Sequence, residues 1–122
     1  MRLALVDDDA STRFLMEHGL RGLGHEVASF ADSGAALRAL RGAPDGFDAV
    51  VTDHGLHGDS GIDLARALHE QRAGLRVILV SGYVTDVLRQ EAAAAGVWQV
   101  LPKQHSVKEL CEVIHRRLST PA

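Results

Sequence analysis

Five side chains carry the chemistry in this sequence, and each stands at the end of a predicted strand. Asp7 and Asp8 follow Leu3-Ala4-Leu5-Val6. Asp53 follows the run from Phe47 to Thr52, Ser81 follows Val77-Ile78-Leu79-Val80, and Lys103 follows the run from Val97 to Pro102. The carboxyl ends of strands in an open parallel sheet form a ligand crevice. Three carboxylates, a hydroxyl and a lysine would then meet at one spot. Like charges that close repel: one pair at 4 Å costs about 4 kcal/mol at an effective dielectric near 20. A divalent cation removes that conflict. The set suits phosphoryl transfer to a carboxylate, assisted by a hard metal ion.

The elements that must position these residues are short strands alternating with amphipathic helices, the pattern of a parallel α/β sheet. Strands are predicted near 2–6, 26–30, 47–53, 76–81 and 97–101. Helices are predicted near 10–23, 34–42, 61–73, 84–94 and 106–118. Glycine-rich turns separate them, including Gly22-Leu23-Gly24, Pro44-Asp45-Gly46, Gly74 and Gly96. Ser33 and Ser60 are expected as N-caps, and Asp9 as a cap of the first helix. Ser106-Val107-Lys108-Glu109 has the spacing of a capping box. Right-handed crossovers place helices on both faces of the sheet, with the first and third strands as neighbours.

The bulk properties exclude several classes. With 122 residues, the chain forms one domain with a substantial core. A net charge of −3 argues against a nucleic-acid surface. No apolar run approaches a membrane span, and the start is too short and too soon acidic for a signal peptide. One cysteine excludes an internal disulfide and fits a reducing cytoplasm. Cys111 falls on a helical apolar stripe with Val107, Leu110, Ile114 and Leu118, as a buried structural thiol would.

Taken together and in order, these pieces resemble the receiver domain of two-component response regulators over essentially the whole chain. The matching pieces are Val6-Asp7-Asp8, Asp53 with Gly61 eight residues on, Ser81-Gly82, and Gly96 with Lys103 seven residues on. The resemblance implies a flavodoxin-like, doubly wound, five-stranded parallel sheet of order 2-1-3-4-5, with residues 1–122 as one receiver domain. It implies that Asp53 accepts a phosphoryl group from a histidine kinase or a histidine phosphotransfer protein. It implies Mg²⁺ held by Asp8, Asp53 and the backbone carbonyl of Gly55, with Asp7 acting through water. Lys103 would meet a phosphoryl oxygen and Ser81 would donate to another, while Gly82 would allow close backbone approach.

The family further implies a phosphoacceptor signalling domain rather than an enzyme, with chemistry limited to its own phosphorylation and dephosphorylation. The readout face would be the fourth helix, fifth strand and fifth helix, around Val87, Trp98 and Leu110, meeting a downstream partner or output domain. A cytoplasmic monomer is expected. Met1 favours an N-terminal or stand-alone receiver, although a receiver within a larger hybrid histidine kinase is also consistent. Ser119-Thr120-Pro121-Ala122 reads as the start of a linker.

Three positions depart from the family pattern. Gln104 follows Lys103 where the family has a proline after a cis bond, so a trans bond and an altered loop are predicted. Val100 replaces the aromatic switch residue three positions before the lysine. It cannot swing a ring, which leaves Tyr83 or Trp98 to report the state or simply to pack. His57 replaces the proline four residues after Asp53, and the glycines of the 53–58 loop predict greater mobility. Gly55 offers no side chain to steer water, so the phosphoryl lifetime is expected to depend on Tyr83 partly covering the site.

Three alternatives to this reading remain at the level of sequence. One is a receiver-like binding module that acts independently of phosphorylation, motivated by Val100 and Gln104. Another is an aspartyl-phosphate phosphatase that uses the Asp-x-Asp of Asp7 and Asp9. The third is a transition-metal site built from His54, His57, Asp53 and Asp59, whose histidines would also shift local charge near neutral pH.

Overall fold

The computed structural model describes residues 1–43, 45–56 and 60–120. In chain order the elements are β1 (Arg2–Val6), α1 (Ala10–Gly22), β2 (Glu26–Phe30), α2 (Ser33–Gly42), β3 (Ala49–Asp53), α3 (Gly61–Gln71), β4 (Arg76–Ser81), α4 (Asp86–Ala94), β5 (Gln99–Pro102) and α5 (Val107–Leu118). All strand pairs are parallel, and the sheet order is β2-β1-β3-β4-β5. The predicted order and the β1–β3 pairing are both present.

Each strand alternates its side chains between two separate cores. Leu3, Leu5, Ala49, Val51, Ile78 and Val80 pack with residues of α1 and α5. Ala4, Val6, Val50, Val77 and Leu79 pack with residues of α2, α3 and α4. Cys111 is buried in the α1/α5 core, and burial pushes its thiol up to about 11. Leu110 is buried there too. It therefore belongs to the interior rather than to a readout surface, because its apolar side chain packs inward.

The helix starts follow their caps. Asp9 accepts from the amides of Ser11 and Thr12, as expected of a cap. Ser33 is not a cap: Asp32 accepts from the Ala35 amide at 2.7 Å, and Ser33 is the buried first residue of α2. Aspartate is as good a capping acceptor, and here it sits one residue earlier. Ser60 and Asp63 form a reciprocal capping box. Ser106 accepts from the Glu109 amide at 3.1 Å. Thr85 caps α4, which starts at Asp86 rather than at 84.

Phe47 and Asp48 precede β3 rather than opening it: Phe47 is buried in the core, and Asp48 accepts from the Arg2 amide at 2.7 Å. α3 stops at Gln71, two residues short of the predicted end, and β5 starts at Gln99. Gly96 has φ +87° and lies against the His69 ring, so a side chain would be both strained and blocked there. No helix among the described residues is long and apolar enough to cross a membrane. Pro44, Pro121 and Ala122 lie outside the described residues.

Candidate functional site

The alternation that builds the two cores also aims the site. Asp7 continues the parity of Leu3 and Leu5, Asp53 that of Ala49 and Val51, and Lys103 that of Leu101, all toward the α1/α5 side. These three residues line one depression of about 220 Å³, together with Thr12, Met16 and the 104–107 segment. Ser81 has the opposite parity and follows Val77 and Leu79 on the α3/α4 side.

Asp7, Asp8 and Asp53 each offer a carboxylate oxygen, and these oxygens lie within 4.8 Å of one another. Lys103 Nζ stands 3.7 Å from Asp53 Oδ1, and the His54 amide donates to the same oxygen at 3.1 Å. Asp7 is only 5% exposed. Burial raises its carboxyl above the ordinary range; the Asp9 amide lowers it, the carboxylates of Asp53 and Asp8 raise it further, and Lys103 lowers it. An all-oxygen donor set under mutual repulsion fits a hard divalent cation such as Mg²⁺.

Among the described residues, this acidic trio is the one group suited to a metal, and no histidine joins it. The His54 backbone instead fastens the loop: its amide donates to the Val80 carbonyl and its carbonyl accepts from the Gly61 amide at 2.8 Å. His57, Gly58 and Asp59 lie outside the described residues, and with them the end of the 53–58 loop. Gly55 is exposed and pairs with Ser60 in an isolated bridge.

Gly61 is the residue whose small size the site demands. A Cβ there would collide with the Asp53 carbonyl oxygen and lie 2.6 Å from Leu79 Cδ1. Its recurrence eight residues after Asp53 is visible in the sequence, but this reason for it is not. By contrast, a Cβ on Gly82 or Gly55 would meet nothing within 4 Å among the described residues.

The Lys103–Gln104 bond is trans, there being no cis peptide among the described residues. The Lys103 amide donates to the Ser81 carbonyl at 3.0 Å, and Gln104 Nε2 donates to the Pro102 carbonyl at 2.9 Å. Val100 is partly buried against the α2–α4 core. The Ser81 hydroxyl donates to the Tyr83 carbonyl at 3.1 Å and accepts from the Tyr83 amide at 3.3 Å. The Tyr83 ring is 80% exposed, so in this state it does not provide the expected cover for Asp53. Two apolar residues, Phe14 and Leu15, are exposed on α1 beside the acid turn.

Arg13 is a site residue that the sequence pattern did not reveal. Its Nη1 donates to the Asp7 carbonyl at 2.8 Å. A basic residue in a first helical turn is unremarkable in a sequence, and its target here is a backbone atom. Asp9, the second acid of the Asp-x-Asp, uses its carboxylate to cap α1. That removes the acid a phosphatase of that type would need.

A parallel 2-1-3-4-5 sheet with an acid trio and a lysine at its carboxyl edge defines a receiver-type α/β domain. The profile of the response regulator receiver domain matches residues 3–115. The chain belongs to this family, the receiver domains of two-component systems.

It is 34% identical over 119 residues to the chemotaxis protein CheY of Pseudomonas aeruginosa, covering 95% of this chain and 94% of that protein. It is 33% identical over 119 residues to the DNA-binding transcriptional regulator NtrC of Azospirillum brasilense, covering 97% of this chain but 24% of that protein. The chain thus spans about a quarter of the length of such NtrC relatives. Among solved structures, Vibrio cholerae CheY4 superposes with a TM-score of 0.84 at 25% identity, covering 94% of this chain and 96% of that one. The BeF3-activated DrrB receiver domain superposes at 0.79 with 26% identity, covering 98% and 97%.

Proposed function

We propose that Asp53 is the phosphoacceptor of a phosphorylation switch, charged by a histidine kinase or a histidine phosphotransfer protein. What supports this reading is one observation: three carboxylate oxygens gathered within 4.8 Å, with an ammonium 3.7 Å from Asp53. An Asp53 oxygen attacks phosphorus in line, and the new O–P bond forms as the bond to the donor breaks and the donor leaves with its electron pair. Asp8, Asp53 and the Gly55 carbonyl would hold Mg²⁺, with Asp7 acting through water. The bound ion would neutralise the gathered carboxylates and the incoming phosphoryl charge. Lys103 supplies a point charge to a phosphoryl oxygen.

The Ser81 hydroxyl is already engaged with the Tyr83 backbone. To donate to a phosphoryl oxygen it must rotate away from the Tyr83 carbonyl, which releases the Tyr83 backbone. This couples the phosphoryl group to the 82–90 segment and hence to α4. The phosphoryl group then biases two arrangements of that segment. The output face comprises α4, β5 and α5, where Val87 is 61% exposed, and it meets a downstream partner or output domain. Residues 1–122 act as one receiver unit, as a monomer in the cytoplasm and without a nucleic-acid surface of their own.

Borohydride reduction of the phosphorylated protein, followed by peptide mass mapping, tests the assignment. It should convert position 53, and no other aspartate, to homoserine. Conversion at Asp7 or Asp8 would contradict it.

A second reading rests on Val100, whose aliphatic side chain has no ring to move between core and solvent. On that reading the domain binds its partner independently of phosphorylation. Equal partner affinity with and without the phosphoryl group would select it.

A further inference from the structure

We infer that Arg13 is a positioning residue for the cation site, holding the Asp7–Asp8–Asp9 turn in the form that gathers the carboxylates. The inference rests on the reading of the acid trio as a Mg²⁺ site. Arg13 grips the turn at both ends. Its backbone amide donates to the Asp9 carbonyl at 2.9 Å, the first helical bond of α1. Its guanidinium donates to the Asp7 carbonyl at 2.8 Å. Asp8 lies between these two anchors, so one residue of α1 brackets the central acid of the turn.

Two further hydrogen bonds of the turn act on different atoms. The Asp7 amide donates to the Phe30 carbonyl at 3.1 Å, which ties the turn to β2. The Asp9 amide donates to Asp7 Oδ1 at 2.9 Å, which sets that carboxylate's direction. Neither fixes the peptide plane between Asp7 and Asp8. Arg13 holds the carbonyl of that plane, and rotating the plane would swing the Asp8 carboxylate relative to Asp53. Hydrogen bonds that orient metal ligands matter nearly as much as the ligands themselves.

Position and charge make opposite predictions, which makes the inference testable. A guanidinium near a cation site repels the cation, so removing its charge alone would tighten Mg²⁺ binding. Removing its hold on the turn would weaken binding. The experiment is Mg²⁺ titration by isothermal calorimetry of wild type, Arg13→Ala and Arg13→Lys, with circular dichroism confirming that each is folded. Arg13→Met, which keeps the aliphatic stem, replaces Arg13→Ala if the latter does not fold.

The expected result is a Kd raised by about tenfold in Arg13→Ala. Arg13→Lys, which keeps a donor and the charge, should recover part of the loss. Phosphorylation of Arg13→Ala should be slow at low Mg²⁺ and reach the wild-type rate at saturating Mg²⁺. An Arg13→Ala Kd equal to or below that of wild type overturns the inference while leaving the site reading intact. A wild-type protein that binds no Mg²⁺ overturns the site reading, and the inference falls with it.

Discussion

Lys103 Nζ and Asp53 Oδ1 stand 3.7 Å apart, although the whole of β4 lies between their strands. The ammonium reaches over the end of β4 from the segment after β5, pinned where the Lys103 amide meets the Ser81 carbonyl. On the proposed reading, Lys103 would compete with a metal ion for Asp53 before phosphorylation and counter phosphoryl charge afterwards. The ammonium is the exposed partner, and screening by solvent limits such a pair to about 1 kcal/mol. Lys103→Met should tighten Mg²⁺ binding by about two- to fivefold, the range that energy allows, while slowing phosphorylation. Calorimetric Mg²⁺ titration together with a phosphorylation time course measures both.

Gly61→Ala should be strongly disruptive for an exchange this small. The added methyl meets a carbonyl oxygen and Leu79, a buried side chain, rather than a flexible tip. Overpacking of this kind costs about 1–3 kcal/mol. Urea denaturation should show a lower midpoint with an unchanged slope, and phosphorylation of Asp53 should slow because its backbone is displaced. Gly55→Ala, where a methyl meets nothing among the described residues, is the control and should not lower the midpoint.

Asp7→Asn should stabilise the metal-free protein. The Asp7 pKa is raised in the folded state, above 3.8, so its ionisation opposes folding. The cost sets in as pH rises through the ordinary carboxyl range and is complete above the raised folded value. With EDTA present, the Tm advantage of Asp7→Asn over wild type should be larger at pH 8 than at pH 4. Mg²⁺ should raise the Tm of wild type more than that of the variant. Equal melting curves at pH 8 in EDTA would contradict this.

The convergence of the acids was legible because each follows a strand of a parallel sheet, whose carboxyl ends share one edge. Which face each acid takes was not: Asp7 follows the parity of Leu3 and Leu5, whereas Asp8 follows that of Ala4 and Val6, and both still join Asp53. The trans bond at Gln104 was legible because only proline makes the cis form cheap. The burial of Leu110 was legible from its place on the apolar stripe of Cys111, and its assignment to the readout face went against that pattern. Other features depend on tertiary context. Asp32 and Ser33 are both good caps, and packing of Ser33 into the interior decides between them. Arg13 acts on a backbone carbonyl, which has no signature in side-chain types.

His25, just before β2, meets His115 in the last turn of α5, with Nε2 and Nδ1 2.8 Å apart. Burial lowers the His25 pKa, as do the amino group of Met1 and His115, while the Met1 carbonyl works against them. A base whose folded pKa is depressed contributes stability that is full above its ordinary value, 6.5, and is lost as pH falls through it toward the folded value. Thermal melts between pH 8 and pH 5 should therefore show a loss of Tm that is smaller in His25→Gln. The same slope in the variant would place the acid sensitivity elsewhere.

The central claim, that Asp53 is a Mg²⁺-dependent phosphoacceptor, is tested most directly by intact-protein mass after treatment with acetyl phosphate, with and without Mg²⁺, in wild type and Asp53→Asn. The account predicts a single phosphoryl adduct on wild type that requires Mg²⁺ and is absent from Asp53→Asn. An adduct of the same yield on Asp53→Asn, or one formed equally well in EDTA, would contradict it.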